Sequence, residues 1–484
     1  MGADRSILLG IGSGVHIRRV LGLILLFAVL SGCAAGKVPA VRPSEGAGGG
    51  TAFVYLKPFP READRFFFSI ERVSARREDG QEIPFLVNLK EIEGRHLKRE
   101  RLLAQADLPP GRYLGLSFTV GKATLETEEG RADLRVPQEP VRIDFSFSLR
   151  KGQALVLSMA VLYADSIQEG FFFSPVVSLA IPAKPNPALT GFVSSRDGNV
   201  VTVFDKLSGE VAGILPAGRN PSGMVLDPRG MKAYVAITGE DSIGVINILS
   251  SSSIDVFRLR SGDRPQELAL TPDGATLVVA NSGSRTVSLL APPSLTELSR
   301  ITVGEGPRSV VVDASGKKAF VFNTLSDSIS VIDIPSRTVF ATIPTDPRPL
   351  RGQLNHKGER LYIIHENSPL LTVLDPLSLA VVKRAFVGGG VIGLRVGSAI
   401  EQIYLSKRRG DRVEVYDPVS FSPRYVLATG GEVSYMTMDE EENTLVLVMP
   451  EEKSIKAVNP ISRTTILEID LGAEPYWVSL MGER

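Results

Sequence analysis

Short runs of alternating apolar and polar residues, separated by polar turns, fill the C-terminal part of this chain. In residues 319–334 (Ala-Phe-Val-Phe-Asn-Thr-Leu-Ser-Asp-Ser-Ile-Ser-Val-Ile-Asp-Ile), two alternating runs flank a short polar segment. Alternation with a period of two is typical of half-buried strands, and the intervening turn joins them into a β-hairpin. The pattern therefore predicts antiparallel β-structure throughout this part of the chain.

The hairpin belongs to a longer unit that repeats. Equivalent positions follow one another at intervals of 44 residues once and 42 residues five times: Pro221, Pro265, Pro307, Pro349, Val391, Val433 and Pro475. A serine stands 29 residues after each of the first six, which are Ser250, Ser294, Ser336, Ser378, Ser420 and Ser462. A fixed period of about 40–45 residues with four short strands in each unit predicts a β-propeller.

The two ends of the repeat region are incomplete in complementary ways. Residues 189–217 match only the second, third and fourth strands of a unit, and residues 475–481 match only the first. We expect the C-terminal strand to complete the blade that the N-terminal part begins. This shared blade and the six complete units predict a closed seven-bladed ring in residues 189–484. A closed ring leaves no sheet edge exposed where its two ends meet.

Residues 51–181 lack the repeat and predict a separate domain. Several short strands separated by Gly and Pro favour a β-sandwich, with one short helix within residues 89–103, where the apolar spacing is loosely helical. Two phenylalanine triplets, residues 66–68 and 171–173, are interpreted as core rather than as an exposed ligand platform. Residues 182–188 contain alternating prolines and predict a linker that spaces the two domains semi-rigidly.

The N-terminus has the pattern of an export signal. Arg18 and Arg19 precede an apolar run over residues 20–30, which is short for a membrane span. The following Leu30-Ser-Gly-Cys33 resembles a bacterial lipobox. The resemblance implies a signal peptide over residues 1–32, a diacylated Cys33 carrying fatty acids such as palmitate, and a flexible tether over residues 33–50. The alternatives are an ordinary signal peptide with a chance cysteine and a short transmembrane anchor.

This resemblance also implies where the protein acts. A lipid-modified chain would be held at the bacterial cell envelope, and Ala34 after the cysteine favours the outer membrane or periplasmic face in a cell that has one. The partner predicted first is therefore membrane lipid, through acylated Cys33.

Composition narrows the chemistry further. Lys+Arg and Asp+Glu number 54 each, so the net charge gives no reason to expect a nucleic-acid partner. Cys33 is the single cysteine, which excludes an intrachain disulfide and a catalytic thiol. The repeat region contains only His356 and His365 and no clustered Cys or acids around them, so we expect no metal and no cofactor.

Two segments resemble known families. The strands Tyr234-Val-Ala-Ile and Phe320-Val-Phe-Asn resemble the YVTN family of propeller repeats, whose members include surface-layer, quinoprotein-like and lactonase-like proteins. Leu108-Pro-Pro-Gly-Arg-Tyr113 resembles the start of a strand in transthyretin-like sandwich domains, and its segment is similar to an uncharacterised lipoprotein domain family. The two resemblances imply an all-β fold in which an N-terminal sandwich is followed by the propeller. Neither resemblance implies any catalytic residue. His365, Lys407 and Met449 depart from the Asn that ends the YVTN strand.

The mouth of the propeller channel is the predicted location of a site. Its candidate ligand-binding residues are Arg351, Gln353, His365, Arg395, Glu267 and Arg308. An anion-binding mouth and ordinary solvated loop charge are both compatible with this mixture of charges. The favoured function is a non-catalytic binding or scaffolding module, acting as a monomer on an envelope protein, a polysaccharide or a small ligand. The alternatives are a lactonase-like hydrolase using Arg351, His365 and Arg395, and a periplasmic electron-transfer partner.

Overall fold

The computed structural model describes residues 48–128, 130–397 and 401–483, together with the backbone of a two-residue strand, β1 (Ala40–Val41). Cys33, the signal peptide and most of the tether lie outside the described residues. The fold is all-β, as predicted, with a β-sandwich followed by a seven-bladed β-propeller. Among the described helices, none has the length and apolar character needed to cross a bilayer.

The sandwich consists of two sheets and a small hairpin. The first sheet has the order β14-β11-β2-β7-β5, with β2 and β11 parallel, and the second has the order β10-β8-β3-β4, with β6 on β3 and β9 on β8. One short helix, α1 (Tyr163–Ser166), precedes the β12–β13 hairpin. The strands are β2 (Gly50–Leu56), β3 (Phe66–Arg77), β4 (Glu82–Pro84), β5 (Leu86–Val87), β6 (Glu91–Glu93), β7 (Arg101–Leu108), β8 (Gly111–Thr127), β9 (Gly130–Leu134), β10 (Val141–Leu149), β11 (Ala154–Val161), β12 (Ile167–Gln168), β13 (Phe172–Phe173) and β14 (Val177–Ala180).

Aromatic side chains fill the space between the two sheets. Phe66 and Phe68 stack at 5.4 Å between ring centroids, and both contact Phe173. The core assignment of the first triplet is confirmed, whereas in the second triplet Phe171 is 44% exposed. The Tyr113 hydroxyl donates to the Pro109 carbonyl at 2.6 Å, which ties the start of β8 to the turn before it.

The helix expected within residues 89–103 is wrong. This segment contains the strand β6, a turn and the start of β7, and Gly94 packs so closely on the carbonyl of Ala63 that a Cβ would overlap it. Ile92 on β6 and Leu97 on the irregular backbone after it both reach the sandwich core. Tertiary contacts rather than helical periodicity explain their spacing.

Each blade of the propeller is a four-stranded antiparallel sheet. A 3₁₀ turn (Pro187–Leu189) leads into blade 1, and another (Thr238–Glu240) lies within blade 2. Blade 1 contains β15 (Thr190–Ser195), β16 (Val200–Asp205), β17 (Val211–Pro216) and the last strand of the chain. Blade 2 contains β18 (Pro221–Asp227), β19 (Lys232–Ile237), β20 (Ser242–Asn247) and β21 (Ile254–Arg258), with β1 at its outer edge.

The next five blades follow the same order from the innermost to the outermost strand. Blade 3 has β22 (Pro265–Leu270), β23 (Leu277–Asn281), β24 (Thr286–Ala291) and β25 (Thr296–Thr302); blade 4 has β26 (Pro307–Val312), β27 (Lys318–Asn323), β28 (Ser328–Asp333) and β29 (Thr338–Pro344); blade 5 has β30 (Pro349–Leu354), β31 (Leu361–His365), β32 (Leu370–Leu374) and β33 (Val381–Phe386); blade 6 has β34 (Val391–Val396), β35 (Ile403–Lys407), β36 (Arg412–Tyr416) and β37 (Pro423–Ala428); blade 7 has β38 (Tyr435–Asp439), β39 (Thr444–Met449), β40 (Ser454–Asn459) and β41 (Thr464–Asp470).

The last strand, β42 (Pro475–Leu480), closes the ring as predicted. It pairs antiparallel with β15, placing Val193 opposite Val478 and Gly191 opposite Leu480. It also contacts the innermost strands of blades 2 and 7, so the seven innermost strands form an unbroken circle. Closure removes the free strand edges that an open stack of blades would expose.

The turns between third and fourth strands explain the repeated Asx and Ser residues. In blade 5, the carboxylate of Asp375 accepts hydrogen bonds from the backbone N–H groups of Leu377 and Ser378 at 2.8 and 3.2 Å. The same arrangement recurs at Asp205, Asn247, Asp417 and Asn459. An Asx side chain thus replaces the water that would otherwise solvate these N–H groups, which is why the motif repeats with the blade.

The sandwich packs directly against the propeller, so the expectation that the linker spaces the domains is wrong. Tyr55, Leu102 and Val156 project from the first sheet of the sandwich into the same apolar cluster as Ile214 and Ile469 of the outermost strands of blades 1 and 7. Ion pairs surround this cluster, among them Lys57–Glu210 at 3.0 Å and Arg101–Asp470 at 3.0 Å. The two domains are therefore joined by an apolar cluster that lies beside the sandwich's own core.

Candidate functional site

The propeller has two faces, and the channel runs between them. We call the upper face the one formed by the loops that lead into the innermost strands and the loops between second and third strands. The opposite face is the lower face. Alternate side chains of the innermost strands point into the channel, where equivalent positions of successive blades form layers across it. Two of these layers contain most of the predicted site residues.

Arg351 crosses the upper layer of the channel. From β30 in blade 5 its guanidinium reaches Glu267 of blade 3, with 2.5 Å between Nη2 and Oε1, and lies 4.7 Å and 4.8 Å from the ring centroids of Tyr435 and Trp477. Tyr435 and Trp477 stack on each other at 4.0 Å. Burial lowers the pKa of Arg351, but the Glu267 carboxylate, Tyr435 and Tyr476 together more than offset burial, so that pKa is raised. The upper layer is thus filled by a charge pair and two aromatic rings.

One layer lower in the channel, Arg395 and Gln353 occupy equivalent places in neighbouring blades. The guanidinium of Arg395 lies 3.5 Å from Glu483 and 3.8 Å from Glu440. Glu483 enters from the lower face and also accepts a hydrogen bond from the Thr437 hydroxyl. Burial raises the pKa of the Glu483 carboxyl, against the opposing effect of Arg395.

Gln353 bridges two blades through hydrogen bonds to backbone. Its amide donates to the carbonyl of Val396 at 3.3 Å and accepts from the N–H of Val396 at 2.9 Å. Both functions of the side chain are therefore used to fasten β30 of blade 5 to β34 of blade 6. Its role is structural in this arrangement.

His365 is buried beneath the upper face, with 1% of its surface exposed. At the equivalent position of blades 3 and 4, Asn281 and Asn323 donate to Ser288 and Ser330 at 2.9 Å, which shows what the signature Asn does. Neither ring nitrogen of His365 has a hydrogen-bond partner among the described residues, and burial lowers its pKa. Burial therefore favours the neutral imidazole, against the opposing effect of Asp346.

Arg308 and the other basic residues of the upper face lie among acids. Arg308 is half-buried at the start of β26, where its charge acts on Arg196 and Glu366. Glu366 in turn pairs with Arg348 at 2.7 Å, and this pairing lowers the pKa of its carboxyl. The mouth therefore contains acids that pair with some of its basic residues, as Glu366 does with Arg348.

The six predicted residues do not form one constellation. Arg351 and Glu267 are brought together, whereas Gln353, Arg395 and His365 each have different surroundings. Among the described residues there is also no group of three or more His, Cys, Asp or Glu arranged to hold a metal ion.

A large cavity lies between the two domains, and the sequence analysis did not predict it. It is a cleft of about 1020 Å³ between the first sheet of the sandwich and the upper rim of blades 1, 2 and 7. Beneath the cleft, Tyr55 and Val156 pack in the contact between the two domains. The cleft is the space beyond this contact, between the sandwich sheet and the upper rim of the propeller. Clefts at domain boundaries are a common location for ligands, so we call this cavity the interdomain cleft and treat it as the candidate site.

Apolar and polar side chains of both domains line the interdomain cleft. The apolar ones include Phe53, Leu86 and Ala154 of the sandwich and Val200, Ile214 and Leu471 of the propeller. The polar ones include Thr51, Gln105, Asp107 and Gln153 of the sandwich and Asp197, Asn199, Arg219, Glu240 and Lys453 of the propeller. A ligand here would contact apolar and polar groups of both domains.

One sequence signal could have indicated this cleft. Along β2, Thr51, Phe53 and Tyr55 alternate with buried core residues, so one face of the strand changes from polar to aromatic along its length. A face of that kind lies at the edge of a contact surface, but the sequence does not say which surface it meets.

The fold and the cleft define a two-domain β-propeller protein with a candidate site at the domain boundary. No protein-family model and no curated protein matches the chain. Among solved structures, it is similar to a functionally unknown protein from Desulfotomaculum acetoxidans, with a TM-score of 0.53 and 11% identity over 60% of this chain and 98% of the other.

Two further structures resemble it to a similar degree. The dihydro-heme d1 dehydrogenase NirN, in complex with DHE, gives a TM-score of 0.50 and 13% identity over 63% of this chain and 78% of the other. Hydrazine synthase from Kuenenia stuttgartiensis gives 0.49 and 18% identity over 61% and 97%. At 13% identity, the likeness to NirN supports the propeller fold alone.

Proposed function

We propose that this chain is a lipid-anchored envelope protein whose two domains form a non-catalytic binding module, with the interdomain cleft as its ligand site. The observation that carries the proposal is the cleft itself: about 1020 Å³ of space, lined by apolar and polar side chains and built jointly by the sandwich and the propeller. Concave sites of this composition are the usual form of binding sites.

The channel supports a structural role for its charged residues. Arg351 is paired with Glu267 and lies against two rings, and Arg395 is flanked by Glu440 and Glu483. A catalytic group must reach the reacting atom, whereas these groups are committed to one another. For this reason binding is proposed rather than lactonase-like hydrolysis, and the electron-transfer alternative has no support beyond fold likeness.

Membership of the YVTN repeat family and a transthyretin-like sandwich remain part of the proposal. The repeat strands, and the Tyr113 hydroxyl that ties Leu108-Pro-Pro-Gly-Arg-Tyr113 together, support them. So does the hydrogen bonding of the signature Asn281 and Asn323. A monomer bound to the envelope by acylated Cys33 is the proposed form in the cell.

The anchor is tested separately from the cleft. Cells grown with radioactive palmitate should label the wild-type protein and leave Cys33→Ser unlabelled, and the variant should leave the membrane fraction. Equal labelling of both would refute acylation at Cys33.

The cleft is tested by affinity capture from detergent-solubilised envelope, using wild-type protein and Gln105→Trp as bait. The indole at position 105 would fill the cleft, so we expect the specific partner to be lost. Gln168→Trp, on β12 away from the cleft, is the matched control and should capture as wild type does. Equal capture by all three baits would place the ligand elsewhere.

A further inference from the structure

We infer that the mouth of the propeller channel binds a small oxyanion with two negative charges, held between the guanidinium groups of Arg196 and Arg308. Neither arginine is among the described residues that line the interdomain cleft. The anion site is therefore a second site, separate from the one proposed between the domains.

Arg196 reaches across the channel mouth from blade 1. It lies in the loop between β15 and β16, and its Nη2 donates to the side-chain oxygen of Gln266, on β22 of blade 3, at 3.0 Å. Its Cζ lies 3.3 Å from the ring centroid of Tyr476 on β42. Its Nε is buried and has no hydrogen-bond partner among the described residues. The cation is thus positioned by two neutral side chains and keeps a donor unused.

Arg308 lies at the same level of the ring. It follows the first residue of the innermost strand of blade 4, just as Gln266 does in blade 3, and these two strands, β26 and β22, contact each other. The side chain that accepts from Arg196 and the side chain of Arg308 therefore begin at neighbouring places. Arg308 is half-buried and has no hydrogen bond or ion pair with another described residue.

The charges of the two arginines act on each other. Burial lowers the pKa of Arg196, and the positive charge of Arg308 also lowers it, against the opposing effects of Tyr476 and Glu267. Like charges that are close together disfavour each other. An anion between the two guanidinium groups would replace this repulsion by two attractions.

The acids around the two arginines have other partners. Glu267 lies 2.5 Å from Arg351, and Glu366 pairs with Arg348 at 2.7 Å. Asp197 accepts hydrogen bonds from two backbone N–H groups at 2.8 Å. No described carboxylate forms an ion pair with either arginine of the proposed site, so two positive charges are left for a ligand to balance.

These two cations select the chemistry of the ligand. A guanidinium group binds the oxygens of a phosphate or a carboxylate through paired N–H donors, and two positive charges are balanced by two negative ones. Phosphate monoesters and dicarboxylates share this chemistry. Because both arginines are half-buried, they are open to solvent, yet they attract an anion more strongly than fully exposed cations would.

The test measures anion binding to the full-length protein in detergent micelles, by isothermal titration calorimetry at constant ionic strength. Inorganic phosphate and succinate are the two probes with two charges, and acetate is the probe with one. We expect at least one of the first two to bind at least tenfold more tightly than acetate. A preference for phosphate would identify a phosphate ester as the ligand class, and a preference for succinate would identify a dicarboxylate.

Substitution of each arginine should weaken binding of the preferred probe. Arg308→Gln and Arg196→Gln each remove one charge and should weaken it at least tenfold, whereas Arg308→Lys keeps the charge and should bind more tightly than Arg308→Gln. Arg337→Gln is the matched control, because it removes an exposed arginine without a described ion-pair partner from the lower face of the same blade as Arg308. It should bind as wild type does.

Melting curves recorded before each titration show that the variants are folded. Arg308 makes no hydrogen bond to a described residue, so Arg308→Gln should fold as wild type does. Equal affinity for acetate and both doubly charged probes would overturn the inference. So would tight binding that both glutamine variants leave unchanged. Neither result would alter capture of a partner through position 105, which lies in the interdomain cleft.

Discussion

The carboxylate of Glu100, in the sandwich, accepts a hydrogen bond from the backbone N–H of Val211 in blade 1 at 2.9 Å. The Ser158 hydroxyl donates to its other oxygen at 3.2 Å. Only 7% of Glu100 is exposed, and the bond to Val211 crosses the boundary between the two domains. An acid has therefore been buried where the domains meet, and the energy of that burial depends on pH.

Glu100 should make the folded protein more stable in acid. Burial raises the pKa of its carboxyl, although the Val211 N–H opposes the shift. A raised folded-state pKa means that this contribution is complete below the ordinary value of about 4.3 and is lost as the pH rises through the raised pKa. Glu100→Gln removes the titration, so the variant should melt higher than wild type at pH 7.5 and similarly at pH 4.

Thermal melting of both proteins between pH 4 and pH 8 measures this difference. Each unit of pKa shift corresponds to about 1.4 kcal/mol. Glu91→Gln, exposed on β6, is the control and should follow wild type. A gap between Glu100→Gln and wild type that does not vary with pH would contradict the burial argument.

Loss of Arg351 should destabilise the propeller strongly. Glu267 is 3% exposed, so Arg351→Met would leave a buried carboxylate without its partner, a change that costs about 3–5 kcal/mol. Equilibrium urea unfolding measures the loss. Arg351→Met/Glu267→Met should recover much of it, because both charges are then absent.

The Arg348→Ala variant shows how much stability a more exposed ion pair contributes, for comparison with the Arg351–Glu267 pair in the channel, called the channel pair below. Arg348 is 37% exposed and pairs with Glu366, so its removal should cost about 1 kcal/mol or less. Equal losses at positions 348 and 351 would show that the channel pair contributes no more than a surface ion pair.

Gly352 should tolerate a larger side chain only when Phe322 becomes smaller. Other innermost strands have Leu268, Val310 or Leu394 at this position, but a Cβ at 352 would overlap the Phe322 ring. Gly352→Leu should therefore cost at least about 1–3 kcal/mol, and Phe322→Ala about 3–5 kcal/mol through the cavity it leaves. The double variant should unfold at a higher urea concentration than either single variant; additive losses would refute this compensation.

Removal of residues 474–484 should open the ring. The deletion exposes the inner edge of β15 and the channel groups that Trp477 and Glu483 contact. We expect aggregation or loss of cooperative unfolding, followed by calorimetry and light scattering. A synthetic peptide of residues 474–484 added in trans should restore part of the transition, and an unchanged melting curve would show that closure is dispensable.

Repetition made the propeller predictable. Turn residues such as Asp375 and Asn459 have the same local role in successive blades, and alternation identifies the strands between them. The incomplete repeats at residues 189–217 and 475–481 then required a shared blade. These signals are local in sequence, and each copy reinforces the others.

For the domain contact and the cleft, the one signal in the sequence was the change from polar to aromatic residues along one face of β2, which names no partner surface. Tyr55, Leu102 and Val156 have the apolar character of any strand residue, and nothing near them in sequence indicates that they meet Ile214 and Ile469. Which side chains cross the channel depends on the closed circle rather than on one blade. Prediction therefore identified Arg351 and Glu267 as channel residues without pairing them.

The pairing of β42 with β15 also determines when this protein can finish folding. Val193 and Val478 are neighbours in one sheet although 285 positions separate them along the chain. Contacts between such distant positions form slowly, because a long loop must close before they contribute. Blades 2 to 7 contain all four of their strands in sequence and can form in turn, while blade 1 waits for β42. Until β42 arrives, blade 1 is a three-stranded template open to pairing with other chains.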